Sequence, residues 1–168
     1  VDNRPSSGGV LANELVANAA PDGYTLLLAN SSFSYLPSLY SKLSFDTRLD
    51  FVPVALVATT QNLLVVHPAV PAKNVQDLIT LAKKKRGSLN YASAGIGGST
   101  HLATALFMSM TNTDIANIPY KGNSQSITDL IAGAVDMTIA PIPVLLPPVA
   151  AKKLRALATT GEKRSPIL

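Results

Sequence analysis

Short apolar runs alternate along this chain with longer stretches of helical periodicity, and clusters of Pro, Gly, Asn and Asp separate them. That alternation is the pattern of an α/β fold, in which strands buried on both faces read as continuous apolar runs. Tyr24-Thr25-Leu26-Leu27-Leu28, Val52 to Thr59, Leu63 to His67, Leu89 to Ala92, Ile115 to Ile118, Met137 to Ile139 and Arg155 to Thr159 read as strands. Between them, Ser7 to Ala20 reads as a helix with Leu11, Leu15, Val16 and Ala19 on one face, and Leu36 to Leu43 as a short one. Leu102, Leu106, Phe107 and Met110 mark a helix that starts at Ser99 or Thr100. Ile127, Leu130 and Ile131 mark another over Ser124 to Ala132, stopped by Gly133. The order predicts a largely parallel sheet. Pro141, Pro143, Pro147 and Pro148 predict a loop leading into a short helix that ends at Lys153.

The clearest helix follows Asn74. Asn74 is placed to cap it, Asp77 lies at its positive end, and Val75, Leu78, Ile79 and Ala82 recur at i, i+3, i+4, i+7. Its last turn carries the densest basic run, Lys83-Lys84-Lys85-Arg86, with Gly87 as the stop. Cations there complement the helix dipole, so the run needs no partner to explain it. With 14 basic and 10 acidic residues and only 5% aromatics, the chain lacks the basic face interleaved with aromatics that nucleic-acid readers show. No stretch is apolar for long enough to insert in a membrane. Cysteine is absent, which removes thiolate nucleophiles and Cys-based metal sites.

The best local signal for chemistry is Ser93-Ala94-Gly95-Ile96-Gly97-Gly98-Ser99-Thr100, between an expected strand and an expected helix. Small residues let a ligand approach the backbone, and the first helical N–H groups point outward without intrahelical partners. That is a site for an anion; a plain strand-to-helix turn has the same pattern. The loop lacks the Lys of a phosphate-binding P-loop, and Thr100 stands where a dinucleotide fingerprint has its third Gly, so a carboxylate suits it better than a nucleotide. Two more loops sit at expected strand ends. Tyr120-Lys121-Gly122 offers a hydroxyl, a cation (or a merely solvated lysine) and a helix start. Asn30-Ser31-Ser32 is dense in donors and acceptors.

Enzyme chemistry finds little footing. His67 stands before Pro68 and reads as structural. His101, in a helical first turn, reads as a neutral donor or a packing group, since the dipole disfavours its cation. No His or carboxylate spacing fits a metal, and Asp129 and Asp136 read as solvated. An α/β enzyme acting on a carboxylated or phosphorylated metabolite, with His101 and Lys121 in its cleft, stays as the alternative.

Several segments together resemble one family. They are Asn3-Arg4-Pro5 with Gly8-Gly9, Ala20-Pro21-Asp22-Gly23-Tyr24-Thr25-Leu26-Leu27, Asp50-Phe51-Val52-Pro53-Val54-Ala55-Leu56-Val57, Leu89-Asn90-Tyr91-Ala92-Ser93-Ala94-Gly95, Pro119-Tyr120-Lys121-Gly122 and Lys153-Leu154-Arg155-Ala156-Leu157-Ala158. Their order resembles the periplasmic solute-binding proteins of tripartite tricarboxylate transporters, the Bug or TctC-like family. The resemblance implies a type II periplasmic-binding-protein fold with one lobe complete and the other incomplete. Residues 1–70 would be part of domain 1, without its N-terminal strand and turn. Residues 71–154 would be domain 2, the complete ligand-binding lobe, and 155–168 the return crossover towards domain 1. The incomplete lobe is expected to leave a sheet edge unpaired.

The resemblance also implies a small carboxylate ligand, delivery to transporter membrane components, a periplasmic location, no cofactor and no catalysis. Carried over by position, the second-lobe site is Ser93, Ala94, Gly95, Gly98, Ser99, Thr100 and His101, with Tyr120, Lys121 and Gly122 across from them. Asn30, Ser31 and Ser32 come from the first lobe. Where many members carry an acidic residue after the strand ending here at Ile139, this chain has Ala140-Pro141. That argues against an amino-acid ligand and for a plain or aromatic carboxylic acid.

Overall fold

The computed structural model describes every residue except Pro5, Ser7, Gly8, Lys85 and Leu168. The expected helix start at Ser7 and the third lysine of the basic run therefore lie outside the described residues.

Five strands form one sheet: β1 (Asn62–Val66), β2 (Asn90–Ser93), β3 (Ala116–Pro119), β4 (Met137–Pro141) and β5 (Arg155–Thr159), in the order β3-β2-β4-β1-β5. The sheet is mixed rather than largely parallel. β2 runs parallel to both β3 and β4, but β1 is antiparallel to β4 and β5. Apolar patterning fixes which residues form strands and not their direction, so this difference was invisible to periodicity. β1 and β5 hydrogen-bond into the same sheet as the strands within 71–154, so the sheet extends past both ends of that stretch.

β1 shows why the apolar runs are continuous. Leu64 and Val66 join Tyr91, Met137 and Ile139 on one face, under α3 (Val75–Lys84) and α4 (Ser99–Thr111). Leu63 and Val65 join Ala92 and Ala140 on the other, under α5 (Asn123–Ile131) and α6 (Ile142–Ala150). Each fully buried aliphatic side chain contributes about 1.5–3 kcal/mol relative to exposure, and β1 spends that on both faces at once. At the sheet end opposite the glycine-rich loop, the Arg155 guanidinium donates to the carbonyls of Val70 and Ala72, both at 3.1 Å, and of Pro68 at 3.3 Å, tying the turn before α3 to β5.

α3 forms as the sequence dictates. The Asp77 N–H donates to Asn74 Oδ1 at 2.8 Å, the Lys73 N–H donates to Asp77 Oδ2 at 2.9 Å, and Gly87 takes φ 70° after the last turn. α4 differs from its pattern. Leu106 and Met110 are exposed, at 61% and 78%, while Thr100 and Thr104 are buried against the sheet. The small threonines let the helix approach closely, and Thr104 satisfies its hydroxyl by donating to the Thr100 carbonyl at 2.9 Å. α6 starts directly at Ile142 in place of the expected proline loop, and contains Pro147 and Pro148. Burial of Ile142 and Leu145 outweighs the intrahelical bonds those prolines cannot make.

Residues 1–60 fold differently. α1 (Val10–Ala17) is shorter than the expected helix, and α2 (Ser32–Leu39) begins inside what reads as a polar loop and ends before Leu43. Leu36 and Phe45 are buried, and Phe33 and Phe45 each pack edge-on against Phe51 at 4.9 and 5.8 Å. The two strands expected at Tyr24–Leu28 and Val52–Thr59 do not form. Both segments lie outside any strand and carry exposed apolar side chains, among them Tyr24, Leu28, Val52 and Leu56. Strand-forming residues need a neighbouring strand to bond, and none of the described residues supplies one.

Candidate functional site

The parallel strands β2, β3 and β4 end on one edge of the sheet, where antiparallel β1 begins. At this edge the Ser93 carbonyl accepts the Tyr120 N–H at 2.8 Å. That bond brings the glycine-rich loop after β2 beside the Tyr120-Lys121-Gly122 loop after β3, as expected.

The glycine-rich loop is braced from within. Gly95 and Gly97 take φ 124° and 75°, conformations that other residues rarely adopt. The Gly98 N–H closes the turn on the Gly95 carbonyl at 3.1 Å, and a Cβ on Gly98 would stand 3.2 Å from that oxygen. Thr100, buried, accepts the Ala94 N–H on Oγ1 at 2.8 Å, and His101 accepts the Gly97 N–H on Nδ1 at 3.2 Å. Those two N–H groups are therefore committed to the loop.

The N–H groups that remain are the ones helix geometry leaves over. Leu102 makes the first bond of α4, to the Gly98 carbonyl, so Ser99, Thr100 and His101 start the helix with N–H groups that have no backbone partner among the described residues. The Ala94–Thr100 bond holds this end of β2 against the start of α4, and there the Ser93 hydroxyl is fully buried with no hydrogen-bond partner among the described residues. A buried hydroxyl without a partner costs about 1–3 kcal/mol, so a group that accepted its proton would stabilise this corner. α5 repeats the arrangement at Asn123, after Gly122, with its first bond from the Ser126 N–H to the Gly122 carbonyl.

Tyr120 is not a free donor. Its hydroxyl donates to Asp129 Oδ2 at 2.8 Å, and burial together with that bond and the carboxylate's charge pushes its pKa up. Towards a ligand Tyr120 can only accept. Lys121 is exposed at the loop tip. Asp129 and Asp136, read as solvated, are both engaged. Asp136 Oδ2 accepts the Asn90 N–H at 2.8 Å while Asn90 Oδ1 accepts the Asp136 N–H at 3.0 Å, joining the starts of β2 and β4. His67 is structural: Nδ1 accepts the Ala69 N–H at 3.2 Å, and the ring packs where a Cβ on Gly133 would be.

Among the described residues no hydrogen bond joins Asn30, Ser31 or Ser32 to the other two loops. Asn30 Oδ1 accepts the Ser32 N–H at 2.8 Å, Ser31 accepts from Ser34, and Ser32 is buried. The part of α2 that reaches the glycine-rich loop is its other end. The Leu39 Cδ1 stands 3.1 Å, and the Tyr40 hydroxyl 3.9 Å, from where a Cβ on Gly97 would lie. Leu39, Tyr40, Asp129 and Tyr91, which stacks on His101 at 6.5 Å, are neighbours the sequence reading missed. Only the alternation in β2, which puts Tyr91 and Ser93 on one face, offered a signal for any of them.

Comparison with known proteins now decides the family. The profile described as "Tripartite tricarboxylate transporter family receptor" matches residues 1–168. The chain belongs to this family. A Pseudomonas sp. (strain P51) relative, the UPF0065 protein in the tcbD-tcbE intergenic region, is 38% identical over 168 residues, all of this chain and 50% of the relative. Among solved structures, Rpa4515 of R. palustris with adipate is 36% identical with a TM-score of 0.92, covering 97% of this chain and 55% of that one. The periplasmic binding protein BugD is 31% identical with a TM-score of 0.93, covering 99% and 56%. The chain thus spans about half the length of the receptors it matches. The expected resemblance and fold class are both correct: a mixed α/β sheet of the periplasmic-binding-protein kind, matching part of each solved structure.

Proposed function

We propose that this chain forms the carboxylate-gripping part of a periplasmic receptor that hands a small di- or tricarboxylic or aromatic acid to the membrane components of a tripartite transporter. The observation that carries the reading is the buried, unpaired Ser93 hydroxyl beside the unpaired N–H groups that start α4. The two oxygens of a carboxylate together offer about four acceptor sites for these donors, and the positive end of the helix favours its charge. The solved relative with adipate supports a carboxylate of this class. Tyr120, with its proton committed to Asp129, and Lys121 and Gly122 would border the ligand. Asn30, Ser31 and Ser32 would contribute from the other lobe. In this reading residues 71–154, with β1 and β5 in the same sheet, form one lobe, and residues 1–60 contribute to the other.

Binding rather than turnover is favoured by the family and by His101. A neutral imidazole has one lone pair on its ring nitrogens, and here it receives the Gly97 N–H. His101 in this position has no site left to take a proton from a substrate, which removes the base that an enzyme reading requires.

Titration calorimetry with adipate, citrate, benzoate, phosphate and AMP tests the proposal. At least one carboxylate binds, phosphate and AMP do not, and Ser93→Ala weakens the carboxylate by about tenfold, the worth of one hydrogen bond to a charged group. Binding of AMP or phosphate in place of every carboxylate would overturn it.

A further inference from the structure

His101 stands at the join of four elements. It belongs to the first turn of α4, its ring stacks on Tyr91 of β2 at an interplanar angle of 15°, and its Nδ1 holds the N–H of Gly97. Gly97 in turn is the residue against which Leu39, at the end of α2, is packed. We infer that His101 is a positioning residue: through Nδ1 it fixes Gly97 in its left-handed conformation, and so sets both the direction of the N–H groups that follow and the face that α2 meets.

Three features make this more than a turn bond. Gly97 is a glycine at φ 75°, and a glycine takes either sign of φ about equally, so something outside its own backbone must select this one. The selecting bond comes from a side chain four residues on, whose ring lies nearly parallel to that of the buried Tyr91, offset at 6.5 Å between centroids. And Nδ1 acts as an acceptor, which places the ring proton on Nε2. Nδ1 alone holds the loop, so a substitution can keep that atom's role while removing Nε2.

This inference rests on the carboxylate reading only for its affinity readout, and amide chemistry separates the two ring nitrogens. The Oδ1 of Asn occupies nearly the place of His Nδ1, two bonds from Cβ, whereas the amide of Gln reaches the place of Nε2. In the full chain, His101→Ala speeds exchange of the Gly97 amide by about tenfold or more, since one hydrogen bond is lost. His101→Asn restores slow exchange and His101→Gln does not. Adipate affinity follows the same order, falling about tenfold in the Ala and Gln variants and recovering to within about threefold in Asn. Recovery by Gln with none by Asn would show His101 to be a direct ligand contact, and overturn the inference. Gly97 exchange unchanged in His101→Ala would overturn it as well. Nitrogen-15 spectra of the unsubstituted chain give an arm free of folding effects, with His101 bearing its proton on Nε2; a proton on Nδ1 refutes the bond. If adipate fails to bind the unsubstituted chain, the carboxylate reading falls while the exchange and tautomer results still decide this one.

Discussion

Two neighbouring stretches of similar composition end in opposite states. Leu63 to Val66 is buried on both faces of the sheet. Val52, Val54, Leu56 and Val57, ten residues or so earlier, are each more than 75% exposed. Propensity does not separate them, since both are rich in Val and Leu. What separates them is company: β1 bonds β4 on one side and β5 on the other, while the earlier segment has no strand beside it among the described residues. A strand is a relation between segments, and apolar alternation records only one partner in it.

The largest expected effect breaks this comparison most directly. Leu64→Ala removes a side chain from the core cluster that holds Tyr91 and Ile139 and costs about 2–5 kcal/mol. Leu56→Ala, at 83% exposure, stays within about 0.5 kcal/mol. Urea unfolding of both variants measures the contrast. Equal losses would mean that the earlier segment is buried in solution, and the difference between the two stretches would vanish. Amide exchange sharpens the same point: β1 is protected to near the global stability, while Tyr24 to Leu28 and Val52 to Val57 exchange freely.

A pair of glycines comes next in size. Gly23 and Gly97 have nearly the same backbone, φ 83° and 75°, but nothing lies within 4 Å of a Cβ on Gly23, whereas Gly97 faces Leu39. Alanine at either position pays the left-handed penalty of about 1–2 kcal/mol. Only at Gly97 must α2 also give way, so Gly97→Ala is the more destabilised of the two and also loses carboxylate affinity, by several-fold or more. Thermal unfolding and calorimetry on both variants provide the check; identical behaviour would show that α2 does not rest on the loop.

These contrasts follow the line between what was legible in the sequence and what was not. α3 was written in its cap, its apolar face and its stop, all of which act within ten residues. β5 has the limits its sequence gives it, and the glycine-rich loop falls between a strand and a helix as expected, because Gly, Ser and Thr mark such a turn. The antiparallel direction of β1, the rotated face of α4 and the helix through Pro147 and Pro148 were not legible, because each is decided by what the rest of the chain packs against it. In the site, the sequence reads the Tyr120 hydroxyl as offered to a ligand and says nothing of the loop bond that Thr100 accepts. Local pattern shows that a hydroxyl is present, and only the fold shows what it bonds. Thr100 finds Ala94 across the loop, and Tyr120 finds Asp129 in the last turn of α5.

Tyr120 supplies the smallest effect and a test of that pairing. Its phenol ionises near pH 10 in the unfolded chain and higher in the fold, because burial, the bond to Asp129 and the carboxylate's charge all favour the neutral form. The stabilisation is therefore complete below about pH 10. Above it the unfolded state sheds its proton first, binds fewer protons than the native state, and is favoured as pH rises through the folded pKa. Tyr91, raised by burial alone, contributes a loss of the same sign. Tyr120→Phe removes one of the two contributions. At pH 7 it costs about 1 kcal/mol, the worth of the lost hydrogen bond. Between pH 8 and 11 it then loses less stability than the unsubstituted chain, with the part due to Tyr91 remaining. Tyr24→Phe, in the exposed segment, changes the stability at pH 7 by no more than a few tenths of a kcal/mol. Urea midpoints at the two pH values measure all three chains. An equal alkaline loss with and without the Tyr120 hydroxyl would mean that its proton is not held by Asp129, and Tyr120 would return to the site as a donor.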